Sequence, residues 1–94
     1  MTTFVMTGRY SAEAVKGISS GRTAKAGKIV QQCGGRIVEV YATMGRNDLL
    51  VIAEFPGVGE AMKASVAFNK EFGIAFSTVP ALPVKEFDKL VGRK

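Results

Sequence analysis

The segment Asp48-Leu49-Leu50-Val51-Ile52-Ala53-Glu54-Phe55 sets the tightest limit on the fold, because its apolar residues do not alternate with polar ones. In a strand, Leu49, Val51, Ala53 and Phe55 point to one side while Leu50 and Ile52 point to the other. Both sides then need cover, which places the strand inside a sheet that is buried on two faces. Pro56 and Gly57 close it. Upstream, Arg36 to Thr43 alternates, with Val38, Val40 and Ala42 on one face and Ile37, Glu39, Tyr41 and Thr43 on the other. Only Met44-Gly45-Arg46-Asn47 separates the two runs, so they form a β-hairpin.

The remaining elements follow from the same patterns. Residues 3–9 are β-branched and apolar and end before Ser11, a helix cap, so they form a first strand. Residues 12–33 read as helical, with Gly17 and Ser19-Ser20-Gly21 dividing a short first turn from the main helix and Gly34-Gly35 ending it. A second helix spans 58–72. It carries Val58, Ala61, Met62, Ala64, Ser65, Phe68 and Phe72 on one broad arc and Glu60, Lys63, Lys70 and Glu71 opposite, with Gly73 as its stop. Residues 74–79 make a fourth strand. After Pro80 and Pro83, Val84 to Val91 forms a short terminal helix before a basic tail. Ninety-four residues suffice for one core, so residues 1–94 are read as a single domain. The order β-α-β-β-α-β defines an α+β, ferredoxin-like fold: a four-stranded antiparallel sheet with two helices on one face, plus the C-terminal helix.

Two helices cover one face of that sheet and leave Val5, Leu50 and Ile52 on the other, a patch larger than a monomer usually exposes. An identical sheet related by a two-fold axis makes the patch complementary to itself, so a homodimer packed sheet to sheet is expected, with room for a higher oligomer. The alternative cover is the terminal helix folded back, with Phe87, Leu90 and Val91 as its apolar stripe.

Composition narrows the chemistry. The chain has no histidine and one cysteine, Cys33, which removes His-based triads, His-ligated zinc, haem ligation by His and any internal disulfide. No metal or cofactor is expected. Cys33 lies at a helix C-terminus, whose negative end disfavours a thiolate nucleophile. The net charge of +5 resides in the first half, where Arg9, Lys16, Arg22, Lys25, Lys28, Arg36 and Arg46 face only Glu13 and Glu39. Lysines and arginines on solvated helix faces account for such a balance more often than nucleic acid does, and nucleic acid is not the expected partner. No apolar run is long enough for a bilayer and the start lacks a signal-peptide pattern, so the expected location is cytoplasmic, without a membrane partner.

The stretch Gly45-Arg46-Asn47-Asp48, followed by Leu49 through Pro56, resembles the hairpin signature of the GYD-domain family, small bacterial proteins of the dimeric α+β barrel group. Val15-Lys16-Gly17-Ile18 followed by Arg22, and Thr78-Val79-Pro80-Ala81 leading into Glu86-Phe87, are similar to other recurrent stretches of that family. Asn47 stands where a tyrosine is usual. The resemblance implies the fold and a dimeric α+β barrel assembly and leaves activity open. A similar Gly-x-x-Asp hairpin in effector-binding domains that resemble those of Lrp/AsnC regulators suggests small-molecule binding at a subunit interface.

No residue is assigned a catalytic role. The ligand-binding candidates are Arg22, Asp48, Arg9, Tyr10, Asn69 and Lys16. Arg22 falls in line with Ala26, Ile29 and Cys33 on the apolar stripe of the main helix and in its first turn, where a negative partner is favoured. Beside Ser19, Ser20 and Thr23 it can hold a carboxylate or phosphate; otherwise it pairs with Asp48 or Glu54, or extends to solvent. Asp48 can fix the hairpin loop by accepting backbone N–H bonds. Arg9 and Tyr10 end the first strand at a cleft. Asn69 projects into the apolar arc of the second helix, where a buried amide needs partners and can read a ligand, although its place near the helix end favours a C-terminal cap. Glu39 and Tyr41 line the dimer interface or its rim. These features favour a homo-oligomeric module that binds a small anionic ligand. A cofactor-independent enzyme using an acid or base among Asp48, Glu54, Tyr10, Tyr41 and Lys16 is the second reading, and RNA binding by the sheet, which lacks the base-stacking aromatics, is the third.

Overall fold

A computed structural model describes residues 1–92; the basic tail read from the sequence, Arg93-Lys94, lies outside them. The elements are β1 (Thr2–Tyr10), α1 (Ala12–Lys16), α2 (Ser20–Gln32), β2 (Arg36–Ala42), β3 (Leu49–Phe55), α3 (Val58–Phe72), β4 (Ile74–Ala81) and α4 (Val84–Val91). The strands form one sheet in the order β2-β3-β1-β4, with every neighbouring pair antiparallel. This is the ferredoxin-like α+β arrangement the sequence predicts.

Caps define the break between α1 and α2. The Ser11 hydroxyl accepts the Ala14 N–H at 3.0 Å and the Ser19 hydroxyl accepts the Arg22 N–H at 3.1 Å, each satisfying a donor that its own helix cannot reach. α3 ends at Gly73, whose left-handed backbone lets its N–H return to the Asn69 carbonyl. The helix-covered side of the sheet holds the core, with Phe4, Met6, Val51, Ala53 and Phe55 from the strands meeting Val30 of α2 and Ala61, Ala64 and Phe68 of α3. Phe4 and Phe55 meet edge to face at 5.8 Å. Gly35 is required by close approach, because a Cβ there would run into the Glu54 carbonyl.

Three sequence expectations change. β2 does not alternate simply: Ile37 pairs with Ala53 and Val40 with Val51, and the register shifts between Ile37 and Glu39. Val38 is therefore a bulge residue and is exposed, while Ile37 and Val40 both pack toward the core. β4 runs on through Pro80 to Ala81, which an edge strand tolerates because its outer side has no ladder partner to lose. The apolar arc of α3 is narrower than its sequence pattern: Ala61, Ala64 and Phe68 are buried, but Val58, Met62 and Asn69 are exposed. The buried-amide expectation for Asn69 is thereby corrected.

The opposite side of the sheet carries Val5, Ile52, Leu50, Thr7 and Val79 in adjacent register, with Glu39 and Tyr41 beside Ile52 and Leu50. α4 does not cover it; none of its residues is buried. No helix among the described residues is long and apolar enough to cross a membrane.

Candidate functional site

The core thins out at the end of the sheet where β1 and β3 approach the α1–α2 junction. At the central strand Gly8 pairs with Phe76 of β4, and a Cβ on Gly8 would stand 2.7 Å from the Phe76 ring. The missing side chain lets that ring lie across the sheet against Phe68 of α3, with centroids 5.2 Å apart, and Phe72 stacks beyond it at 6.1 Å from Phe68. These three rings form one wall of a cavity of about 360 Å³. Ile37, Val40, Leu49, Val51 and Ile74 make its floor, and Ala26 and Thr23 of α2 the facing wall. Small-molecule sites commonly range from about 300 to 1,000 Å³ and are largely apolar with a few placed polar groups, and this one has that character.

Its polar groups gather at the mouth. The half-buried Arg22 spans the gap between α2 and the end of β1: its Nη1 donates to the Ala14 carbonyl at 2.5 Å, and its guanidinium carbon lies 5.1 Å from the centre of the Tyr10 ring. That carbonyl, near the C-terminal end of α1, also accepts the Gly17 N–H at 3.1 Å, so Arg22 adds a second donor to the end of α1 while stacking on Tyr10. Neither sequence expectation for an Arg22 ion pair holds. The acid contact found among the described residues is between Arg36 and Glu54 at 2.7 Å, which commits Glu54 elsewhere. One Arg22 N–H is satisfied by Ala14 and the ring contact uses the face of the guanidinium, leaving further donors of the fork at the cavity mouth beside Ser19.

Asp48 acts one layer below. Its Oδ2 accepts the Tyr10 N–H at 2.8 Å, and its own N–H donates to the Gly8 carbonyl at 2.8 Å. The β1–β3 ladder ends at Gly8–Leu49, and the carboxylate replaces the next backbone acceptor. Asp48 thus fixes the end of β1, and with it Tyr10, rather than accepting from the N–H groups of its own hairpin loop. The loop itself is closed by the Thr43 N–H donating to the Asp48 carbonyl and the Thr43 hydroxyl donating to the Asn47 carbonyl.

Of the six candidate residues, the structure brings Arg22, Tyr10 and Asp48 together. Arg9 is exposed on the opposite side of the sheet, where strand alternation directs it, and Lys16 and Asn69 are exposed outside the cavity lining. Sequence reasoning missed the phenylalanine wall and Ile18 at the rim. A glycine inside a strand marks close approach of another group, so Gly8 was the available signal. Among the described residues no group of three Cys, Asp or Glu is placed to hold a metal ion.

A family model described as GYD domain matches residues 4–91. Among solved structures, one described as a putative glycine cleavage system transcriptional repressor matches with a TM-score of 0.56 at 15% identity, covering 87% of this chain. The chain spans about half of that structure's length, 47%. At this identity the likeness is one of fold. No curated protein matches the chain significantly.

Proposed function

Because the chain belongs to the GYD-domain family and encloses an apolar cavity with a cation at its mouth, we propose that it is a homo-oligomeric module binding a small carboxylic acid with an apolar body. The observation that carries this reading is the Arg22 fork, held over Tyr10 at the rim of a cavity whose walls are Phe68, Phe72, Phe76 and aliphatic side chains. The apolar body fills the space beneath, and the carboxylate meets donors that no acid of the chain engages among the described residues. The description of the structural neighbour as a repressor favours a regulatory use of such binding. The open sheet face supports the assembly. Val5, Leu50, Ile52 and Val79 lie together there, and a second copy of the same face is their natural cover.

Native mass spectrometry of the full chain, with phenylacetate, octanoate or inorganic phosphate added, tests both parts. The expected result is a species of at least two 10.0 kDa subunits that retains the organic acids in preference to phosphate. Arg22→Ala is expected to weaken acid binding about 10- to 100-fold, the range for losing a hydrogen bond from a charged donor, and Arg22→Lys to restore part of it. A lone 10.0 kDa subunit contradicts the assembly, and undiminished acid binding by Arg22→Ala contradicts the site.

A further inference from the structure

The terminal helix α4 stands away from the core with an apolar stripe in solvent: Val84 is 71% exposed, Phe87 51%, Leu90 73% and Val91 65%. At 100° per residue these four fall on one arc, Glu86 and Asp88 border it on either side, and Lys85 and Lys89 lie at the back. The outer face of α3 offers the counterpart. Val58, Met62 and Val66, spaced by four residues, are 58%, 62% and 53% exposed, and Met62 and Val66 border a shallow groove that Gly59, Ala67, Lys63 and Lys70 also line. The acids of α3 lie elsewhere: Glu60 is half-buried near Gly57, and Glu71 faces the α1–α2 junction.

We infer that α4 of one copy docks in the α3 groove of a neighbouring copy, its acid-bordered apolar stripe matched to the lysine-edged strip. The lengths agree. The stripe from Val84 to Val91 runs about 10 Å and the strip from Val58 to Val66 about 12 Å at the helical rise per residue. Gly59 and Ala67 lower the groove floor where a ring such as that of Phe87 can enter, and Glu86 or Asp88 comes within reach of Lys63 or Lys70. α3 lies on the side of the sheet away from the open face, so this contact is separate from sheet-to-sheet pairing and does not depend on it. It joins copies beyond such a pair.

Disulfide trapping tests the inference with intact chains in a Cys33→Ser background. Mixing Leu90→Cys with a tagged Met62→Cys chain under mild oxidation is expected to give a two-chain product severalfold more abundant than either variant forms alone. Adding Lys63→Glu and Lys70→Glu to the Met62→Cys chain should remove most of that product. Combining it with Glu86→Lys and Asp88→Lys on the Leu90→Cys chain should restore it. Absence of the mixed product overturns the inference, as does equal self-linking of Leu90→Cys. Ring closure within one chain that carries both cysteines, persisting at high dilution, overturns it too by assigning the groove to the chain's own helix.

Discussion

Phe68→Ala is expected to lower the unfolding free energy by about 3–5 kcal/mol, the usual range for removing a buried aromatic ring. Phe68 is 2% exposed and belongs both to the core and to the cavity wall, where it contacts the rings of Phe72 and Phe76. The cavity beside it makes the vacancy larger and leaves fewer neighbours able to collapse into it. A domain of this size has only about 5–15 kcal/mol in total, so a large part of the population should unfold in conditions where the parent is folded. Phe68→Leu, which retains most of the apolar volume, should cost far less. Urea unfolding monitored by circular dichroism measures both. A loss under about 1 kcal/mol for Phe68→Ala would show that the ring is not a supporting wall.

Asp48→Ala is expected to cost about 2 kcal/mol, since it takes a charged acceptor from a partly buried N–H and leaves the Tyr10 amide without its partner. The effect should be local in a way that identifies its cause. Hydrogen exchange at the Tyr10 amide should accelerate strongly, while amides in the middle of β1, paired on both sides with β3 and β4, should respond only through global stability. Because Tyr10 carries the ring beneath Arg22, acid binding should weaken as well, although Asp48 itself lies outside the cavity lining. Asp48→Asn keeps an acceptor oxygen and should recover part of the stability. An unchanged Tyr10 exchange rate in Asp48→Ala would contradict the role given to this carboxylate.

The fold was legible because it depends on patterns carried by consecutive residues. The two-sided apolar run of β3, the four-residue hairpin, the serine caps and Gly73 each fix an element locally, and together they leave one topology. β2 misled because its bulge at Val38 inserts one residue, and every side chain beyond it changes side, an event set by pairing with β3 and invisible in the strand alone. α3 misled for a different reason. A helix lying on a sheet buries a stripe about 100° wide, and the apolar side chains at its margins, Val58 and Met62, look the same in sequence as those at its centre.

The site was half legible. Arg22 stood out as a cation in line with an apolar stripe, and Asp48 by its place at the start of β3. Their partners did not, because a backbone carbonyl such as that of Ala14 or an amide such as that of Tyr10 has no sequence signature. A cavity is harder still to foresee: its walls come from β1, β2, β3, β4, α2 and α3, and periodicity reports which way a residue points but not where packing fails to close.

A titration of the methyl-labelled protein with phenylacetate, followed by nuclear magnetic resonance, tests the central claim most directly. The methyl groups of Ile37, Val40, Leu49 and Ile74 line the cavity, while those of Val15, Val66 and Val84 are exposed outside it. Saturable shifts confined to the first group, moved to about 10- to 100-fold higher phenylacetate in Arg22→Ala, are the predicted result; shifts confined to the second group, or none at all, would contradict a ligand site between the helices and the sheet.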